Sequence, residues 1–513
     1  MSDRKKDNMS VSGSKKRIDL LISIVPMTSV LILCFFFFSF PDRSNRILEK
    51  VRFFLGNSLG SYYLIIGLVF FFLSIYMAFS KYGSIVLGDK GDKPAHSFLS
   101  WGAMMFTCGL AADILFYSFS EWILYANDPY IKGKANIADL CGVYPLFHWS
   151  FIPWSFYLVL AVAFAYMLHV KKIKRQRFSE ACRPLLGKST DGRGGRIIDM
   201  LAVFALIAGT ATTFSIATPL MSTIIKELFR TDISNDILTP AILILTCFIY
   251  SYSLLHGIKG IDLLAKACIF LFFSLMAYVL FFGGSCKYII ESGIGQMGRL
   301  LQNFLPMSTY TDPLRENSFP QNWTIYYWSY WIVWCVAAPF FIGAISKGRT
   351  VRQTILGGYI FGAGSTLLSF IVFGNYSMKM QFTGLADFSG QYAKGLDLYN
   401  IIISIIRNLP MSSVFMFFLF ITMMAFYATS FDAIALTASC YSYRLLDEGE
   451  KPHPLIQLAW CILLILLPLA LVFAKSSMSN LQSVSIIAAF PLGFVMLVIA
   501  LAFLKDARSS PDK

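Results

Sequence analysis

The sequence predicts an all-α integral membrane protein of about twelve transmembrane helices, and three observations carry that reading. Hydrophobic residues make up 56% of the 513 and charged residues only 14%, with a mean hydropathy of +0.63, a balance too apolar for a fold whose solvent is water. Nearly uncharged runs of about 18 residues or more recur along the whole chain, each long enough to cross a hydrocarbon layer of roughly 30 Å as a helix. The polar stretches between them are too short for a folded soluble domain.

In order, the predicted spans cover 18–40, 59–80, 97–120, 144–170, 198–224, 238–257, 262–284, 322–345, 354–376, 411–440, 454–474 and 483–504. An even number puts both termini on one side. That side carries about 28 Lys and Arg against about 15 on the other, so the termini are expected in the cytoplasm. The decisive loop runs from Lys171 to Arg196; the loop after the first span, with Arg43, Arg46, Lys50 and Arg52, runs against the rule.

The net charge of +14 does not point to nucleic acid, because the basic residues sit in short loops at helix ends and form no face with interleaved aromatics. Among the ten cysteines, Cys34, Cys108, Cys247, Cys268, Cys335, Cys440 and Cys461 fall inside predicted spans and read as small apolar core residues. The first apolar run is too long for a signal peptide and has no small-residue cleavage site, so it is expected to be retained.

The stretch 288–305 has apolar residues at helical spacing with scattered polar ones, which suits an amphipathic helix lying in the interface between two halves. The chain then divides into a basic tail (1–17), two leading helices (18–80), a first five-helix unit (97–284), the interfacial helix, a second five-helix unit (322–504) and a short tail (505–513). Units with an odd number of spans must be inverted relative to each other. The first helix of each is interrupted, span 3 by Gly109 and small neighbours, span 8 by Ala337, Ala338 and Pro339, and such paired interruptions point to a midplane substrate site.

Span 8 opens with seven aromatic residues among the twelve from Trp323 to Trp334, reaching two to three turns deeper than an interfacial belt explains. Span 4 carries Trp149, Pro153, Trp154 and Tyr157; Pro153 can bend it, and Trp154 and Tyr157 are helical neighbours. A permanent cation with no hydrogen to donate is held by π faces and carboxylates, each desolvated ring contributing about 2 kcal/mol. A small quaternary ammonium compound is the substrate class this pattern fits.

These residues resemble the betaine/choline/carnitine transporter family, whose eighth-helix signature stands here as NWTIYYWSYW, with Tyr330 where the family usually has the first Trp of a final pair. SKGRTVRQ at Ser346–Gln353, HWSFIPW in span 4 and TSFD at Thr429–Asp432 extend the resemblance over nearly the whole chain. It implies a leucine-transporter-type 5+5 inverted repeat behind two extra helices, assembled as a homotrimer in a bacterial inner membrane. It also implies an aromatic box of Trp149, Trp154, Tyr157 and Trp331, with Trp323, Trp328 and Trp334 lining the path.

Asp113 puts a carboxylate deep in span 3 at a cost of about 2.5 to 3.5 kcal/mol, which marks it for substrate or ion work. Sodium-coupled betaine carriers of the family have a GxGxG-like run there, whereas this chain has Gly109, Ala111 and Asp113; choline carriers that look proton-driven have the Asp. An anion there attracts a substrate cation and repels a betaine carboxylate by about 4 kcal/mol at about 4 Å and an effective dielectric near 20. No cofactor is expected beyond the coupling ion, H+ or Na+. Sodium has its own support: Thr429 and Ser430 match hydroxyls that hold it in relatives together with carbonyls of the unwound third helix, here around Leu110, and oxygen ligands suit a hard cation. Thr210, Thr212 and Thr213 of span 5 leave the same choice open.

Ion-independent carnitine exchangers place an Arg in span 7 where this chain has Cys268, and Lys266 faces away, so exchange is less expected than symport. Asp199 and Asp432 read as structural acids. The chain stops soon after Lys505, so osmotic regulation through a long charged C-terminal helix is not expected. A membrane-embedded enzyme finds no support: there is no HExxH, no clustered histidine among the five, and no close pair of carboxylates at membrane depth. A channel fits poorly with two interrupted helices, and another amine or a sulfonium compound fits the same rings.

Overall fold

A computed structural model of the chain describes residues 18–173, 175–256, 260–444, 446 and 452–509, apart from the side chains of 253–256, 260–266 and 432. The tail 1–17, Lys174, the side chains of Lys266 and Asp432, and 510–513 lie outside the described residues. Among those described the chain is all-helical, with two isolated bridges as its only extended pairing. Among the described residues nine helices are long and apolar enough to cross a membrane, and the number rises to twelve when each of three bent pairs is taken as one span.

The spans keep their predicted order: Leu20–Ser39, Ser61–Phe79, Phe98–Thr107 with Ala112–Ala126, Ile137–Val170, Arg193–Phe229, Asn235–His256, Gly260–Phe282, Pro320–Trp334 with Ala338–Ile345, Val351–Phe382, Ser412–Tyr441, Pro454–Phe473 and Met478–Arg508. Span 5 has 37 residues and span 12 has 31, both longer than predicted. Their outer turns carry Arg193, Arg196, Lys226, Lys505 and Arg508, so hydropathy registers only the part that needs to be apolar.

The basic stretch after span 1 is a helix, Pro41–Arg52, not a bare loop. Proline opens it, Asp42 sits in its first turn and Lys50 and Arg52 in its last, the arrangement that suits the helix dipole. It is tied to the start of span 12, where Arg52 donates to the Ser479 carbonyl at 3.2 Å. The amphipathic helix runs from Cys286 to Thr309 and leaves span 7 at 111°, too sharp a turn to continue across a bilayer. Its Gln296 exchanges hydrogen bonds with Asn375 of span 9 at 2.7 and 2.9 Å, and its Phe304 packs on Phe71 of span 2.

Between spans 9 and 10 lie two short helices that the hydropathy pattern does not announce, Phe388–Ala393 and Leu398–Arg407, each capped by an aspartate accepting from the backbone N–H three residues on. Leu398–Arg407 buries Ile401, Ile402, Ile405 and Ile406, and Tyr399 lays its ring 5.3 Å from Phe116 of span 3. Ten residues are too few to span, so this apolar helix covers the end of the bundle.

Spans 3 and 8 are broken where small residues and proline stand, with bends of 66° and 56°. Span 4 is also interrupted, at Trp149 and Ser150, whose backbones leave helical geometry between Ile137–His148 and Phe151–Ala165. Pro153 is the cause: it has no N–H to give the carbonyl of Trp149 four residues back. That carbonyl accepts instead from the Thr366 hydroxyl of span 9 at 2.6 Å. Replacing Thr366 by Val, which keeps the shape and removes the donor, leaves a buried carbonyl unsatisfied; we expect a loss of about 1 to 3 kcal/mol, seen as a lower melting temperature in detergent.

Candidate functional site

The break in span 4 presents Trp149 from one side and Trp154 and Tyr157 from the next turns, and span 8 brings Trp331 against all three. The Trp331 ring centroid lies 5.6 Å from Trp149, 5.8 Å from Trp154 and 5.0 Å from Tyr157, with interplanar angles of 58° to 70°. Trp154 and Tyr157 are 5.7 Å apart. All four rings are buried, and the separations are those of interacting aromatic pairs. The indole N–H groups of Trp154 and Trp331 have no acceptor among the described residues, which leaves two donors in this cluster for an oxygen of a bound molecule. Gly109, in the break of span 3, permits the approach of Trp154: a Cβ there would stand 2.8 Å from its ring and 2.6 Å from Ser365 Oγ.

The other three tryptophans of span 8 go elsewhere. Trp328 points back into span 2, where a Cβ on Gly67 would lie 2.2 Å from its Nε1, and its ring meets Phe147 at 5.1 Å. Trp323 stands at the opening of the span and donates to Asp128 Oδ2 at 2.7 Å. Trp334 is half-buried against Gly209 of span 5. Helical rotation explains the split, since Tyr327, Tyr330, Trp331 and Trp334 share the face toward spans 3 to 5 while Trp328 lies off it.

Asp113 is buried one residue into the second half of span 3. Its Oδ2 accepts from the Tyr330 hydroxyl at 2.5 Å, and Tyr330 in turn meets the Thr213 hydroxyl of span 5. Asp113, which stands where sodium-coupled betaine carriers have a small residue, and Tyr330, which stands where the family usually has Trp, are therefore hydrogen-bonded partners. The other oxygen, Oδ1, has no protein partner, and no ion pair among the described residues involves Asp113. Of Thr210, Thr212 and Thr213, only Thr213 joins this pair, through Tyr330; Thr212 bonds Ser485 at 2.9 Å and Thr210 its own helix.

Thr429 donates to carbonyls of its own helix, Ala425 at 3.2 Å and Phe426 at 3.0 Å. Ser430 is half-buried beside it, and Leu110 is buried in the break of span 3. Cys268 is buried with its thiol next to Thr429. Asp199 pairs with Arg177 at 3.0 Å and accepts from the backbone and hydroxyl of Ser179, so it is a structural acid closing the loop between spans 4 and 5.

A second membrane-depth carboxylate escaped the sequence reading. Glu121 is fully buried, accepting from Trp149 Nε1 at 2.8 Å and from the Tyr125 hydroxyl at 2.5 Å. The Tyr125 hydroxyl is also 2.6 Å from His148 Nδ1, whose Nε2 lies 3.0 Å from Thr324 Oγ1. The available signal was the four-residue spacing of Asp113, Tyr117, Glu121 and Tyr125, which lays one polar stripe along span 3.

Interrupted helices beside a cage of rings define a class: multi-pass carriers that hold a small cation between two halves. The chain matches the model of the BCCT, or betaine/carnitine/choline, transporter family over residues 21–512, and it belongs to that family. It is similar to a carnitine transporter of Acinetobacter baumannii, with 28% identity over 447 residues covering 84% of this chain and 79% of the relative.

The geometry separates two kinds of tryptophan variant. Trp331→Ala removes the ring that touches the other three and should weaken binding of a quaternary ammonium ligand about tenfold or more, measured by titration calorimetry. Trp328→Ala empties the notch against Gly67 and should cost melting temperature well before it costs affinity.

Proposed function

We propose that the protein is a proton-driven symporter of a quaternary ammonium cation of the choline type. The observation that carries this reading is the Asp113–Tyr330 pair. One oxygen of Asp113 is held at 2.5 Å by Tyr330 and the other is bare, with no basic side chain paired to it among the described residues. A bare carboxylate oxygen out of water calls for a proton or a cation. A choline-type cation meets that charge favourably, while the carboxylate of a betaine or carnitine is repelled by it.

In this reading the rings of Trp149, Trp154, Tyr157 and Trp331 hold the trimethylammonium head. The indole donors of Trp154 and Trp331 are available to the hydroxyl of the substrate. Asp113 sets both the preference for a cation and the coupling to protons, and the bends in spans 3 and 8 are where the two halves rock to open one side at a time. The setting is a bacterial inner membrane with both termini cytoplasmic and the chain assembled as a homotrimer.

One observation favours a second reading, transport of a zwitterion such as carnitine: the similar protein from Acinetobacter baumannii is a carnitine transporter. Sodium coupling would use the hydroxyl oxygens of Thr429 and Ser430 and the carbonyl of Leu110. Ion-independent exchange has less support, since Cys268 supplies no positive charge beside Thr429.

Uptake of labelled choline, glycine betaine and carnitine into proteoliposomes under an imposed pH or sodium gradient decides between these. Choline uptake is expected to follow the pH gradient, Asp113→Gly to abolish that dependence, and Tyr330→Phe to reduce it. If a zwitterion moves with sodium alone and Asp113→Gly changes little, the choice of ion and substrate is wrong.

A further inference from the structure

A cation and a proton that cross together bring two positive charges into a site where Asp113 supplies one negative charge. With the proton on Asp113 the substrate's charge must be met by another anion; with the substrate on Asp113 the proton needs another base. Glu121 is the other buried anion beside the rings, and it touches the cluster directly through the Trp149 indole.

Glu121 is also one end of a hydrogen-bonded chain. From Glu121 Oε1 the steps are 2.5 Å to the Tyr125 hydroxyl, 2.6 Å to His148 Nδ1 and, from Nε2 across the ring, 3.0 Å to Thr324 Oγ1. His148 is clamped by a stacked Tyr327 ring at 4.7 Å, so its two nitrogens stay aimed at these partners. Thr324 lies in the first turn of span 8, next to the half-buried Trp323, at the end of the bundle opposite the termini. The groups facing Glu121 are Tyr125, Tyr117 and, eight residues back, Asp113 on its own helix, His148 and Tyr144 from span 4, and Tyr326 and Tyr327 from span 8; Asp128 stands beyond Tyr125 toward the opening. No Lys or Arg is paired with Glu121 among the described residues.

We propose that Thr324, His148, Tyr125 and Glu121 form a proton-transfer chain that loads Glu121 from the face opposite the termini and reports its charge state to the substrate cage through Trp149. The inference rests on the proton-coupled reading above. The proton count closes in two registers. In the unloaded register Glu121 is an anion, Tyr125 donates to it, His148 Nδ1–H donates to the Tyr125 oxygen, and Nε2 accepts from Thr324. A proton arriving at Nε2 releases the Nδ1 proton to the Tyr125 oxygen, and the Tyr125 proton passes to Glu121. The loaded register then has neutral Glu121 donating to Tyr125, Tyr125 donating to Nδ1, and Nε2–H donating to Thr324. One proton has entered, His148 is neutral at both ends of the step, and the acceptor for the Trp149 indole has changed from an anion to a neutral acid, a weaker partner. Glu121 is thus a positioning residue for Trp149 as well as a proton carrier.

Two measurements on the full chain test this. Infrared difference spectra of the detergent-solubilised protein between acidic and alkaline buffer should show a carboxylic C=O band that disappears in Glu121→Gln and persists in Asp113→Asn; a band unchanged in Glu121→Gln overturns the proposal. In proteoliposomes, Tyr125→Phe, which keeps the ring and removes the relay oxygen, should reduce choline accumulation under a pH gradient about tenfold more than it reduces choline exchange at equal pH. Equal loss of both means a structural role only and overturns the chain. If the native protein ignores the pH gradient, the proton-coupled reading fails and takes the loading route with it. If the native protein follows the gradient and Tyr125→Phe follows it equally well, the reading stands and the chain alone is wrong.

Discussion

Inside a bilayer no water repairs an unpaired polar atom, and this one constraint organises the whole protein. Every departure from regular apolar helix carries polar groups that the fold itself must satisfy. The carbonyl released by Pro153 is taken by Thr366, the carboxylate of Glu121 by an indole and a phenol, and one oxygen of Asp113 by Tyr330. The partners come from spans distant in the sequence, so each satisfied group is also a tie between helices. Among the buried polar atoms that keep no partner among the described residues, three lie around the ring cage: the second oxygen of Asp113 and the N–H groups of Trp154 and Trp331. Unspent hydrogen-bonding capacity concentrated at one point is what a binding site looks like before its ligand arrives.

Hydropathy made the number and order of the spans legible, because a charge-free run of that length has few other homes. The convergence of rings was legible through density: so many aromatics at depth in span 8, with Trp154 and Tyr157 in span 4, exceed what an interfacial belt accounts for. What hydropathy does not encode is facing. Span 8 is apolar on every side, so its hydropathy does not distinguish Trp331, which meets the cage, from Trp328, which packs into the leading helices; only the family resemblance set Trp331 apart.

Glu121 was hidden for a geometric reason. An unbroken helix entering at residue 97 has crossed the hydrocarbon by residue 120, which puts position 121 in the loop. The 66° bend after Thr107 uses up length without gaining depth, so the real span runs on to Ala126 and keeps Glu121 buried. Paired departures carried more than either alone: Asp113 and Tyr330 each look like a local exception, and only their 2.5 Å contact shows them to be one feature.

The seat of Trp328 on Gly67 has a mechanical corollary. It pins span 8 to the leading pair of helices one turn before Trp331, about 4.5 Å along the axis. A rod held away from its middle has a short arm on one side of the fulcrum and a long one on the other. Small tilts barely displace the indole that closes the cage, while the segment beyond Ala337, jointed by its own 56° bend, sweeps a wide arc. In the rocking carrier proposed above, the leading helices would be the fixed frame for that swing.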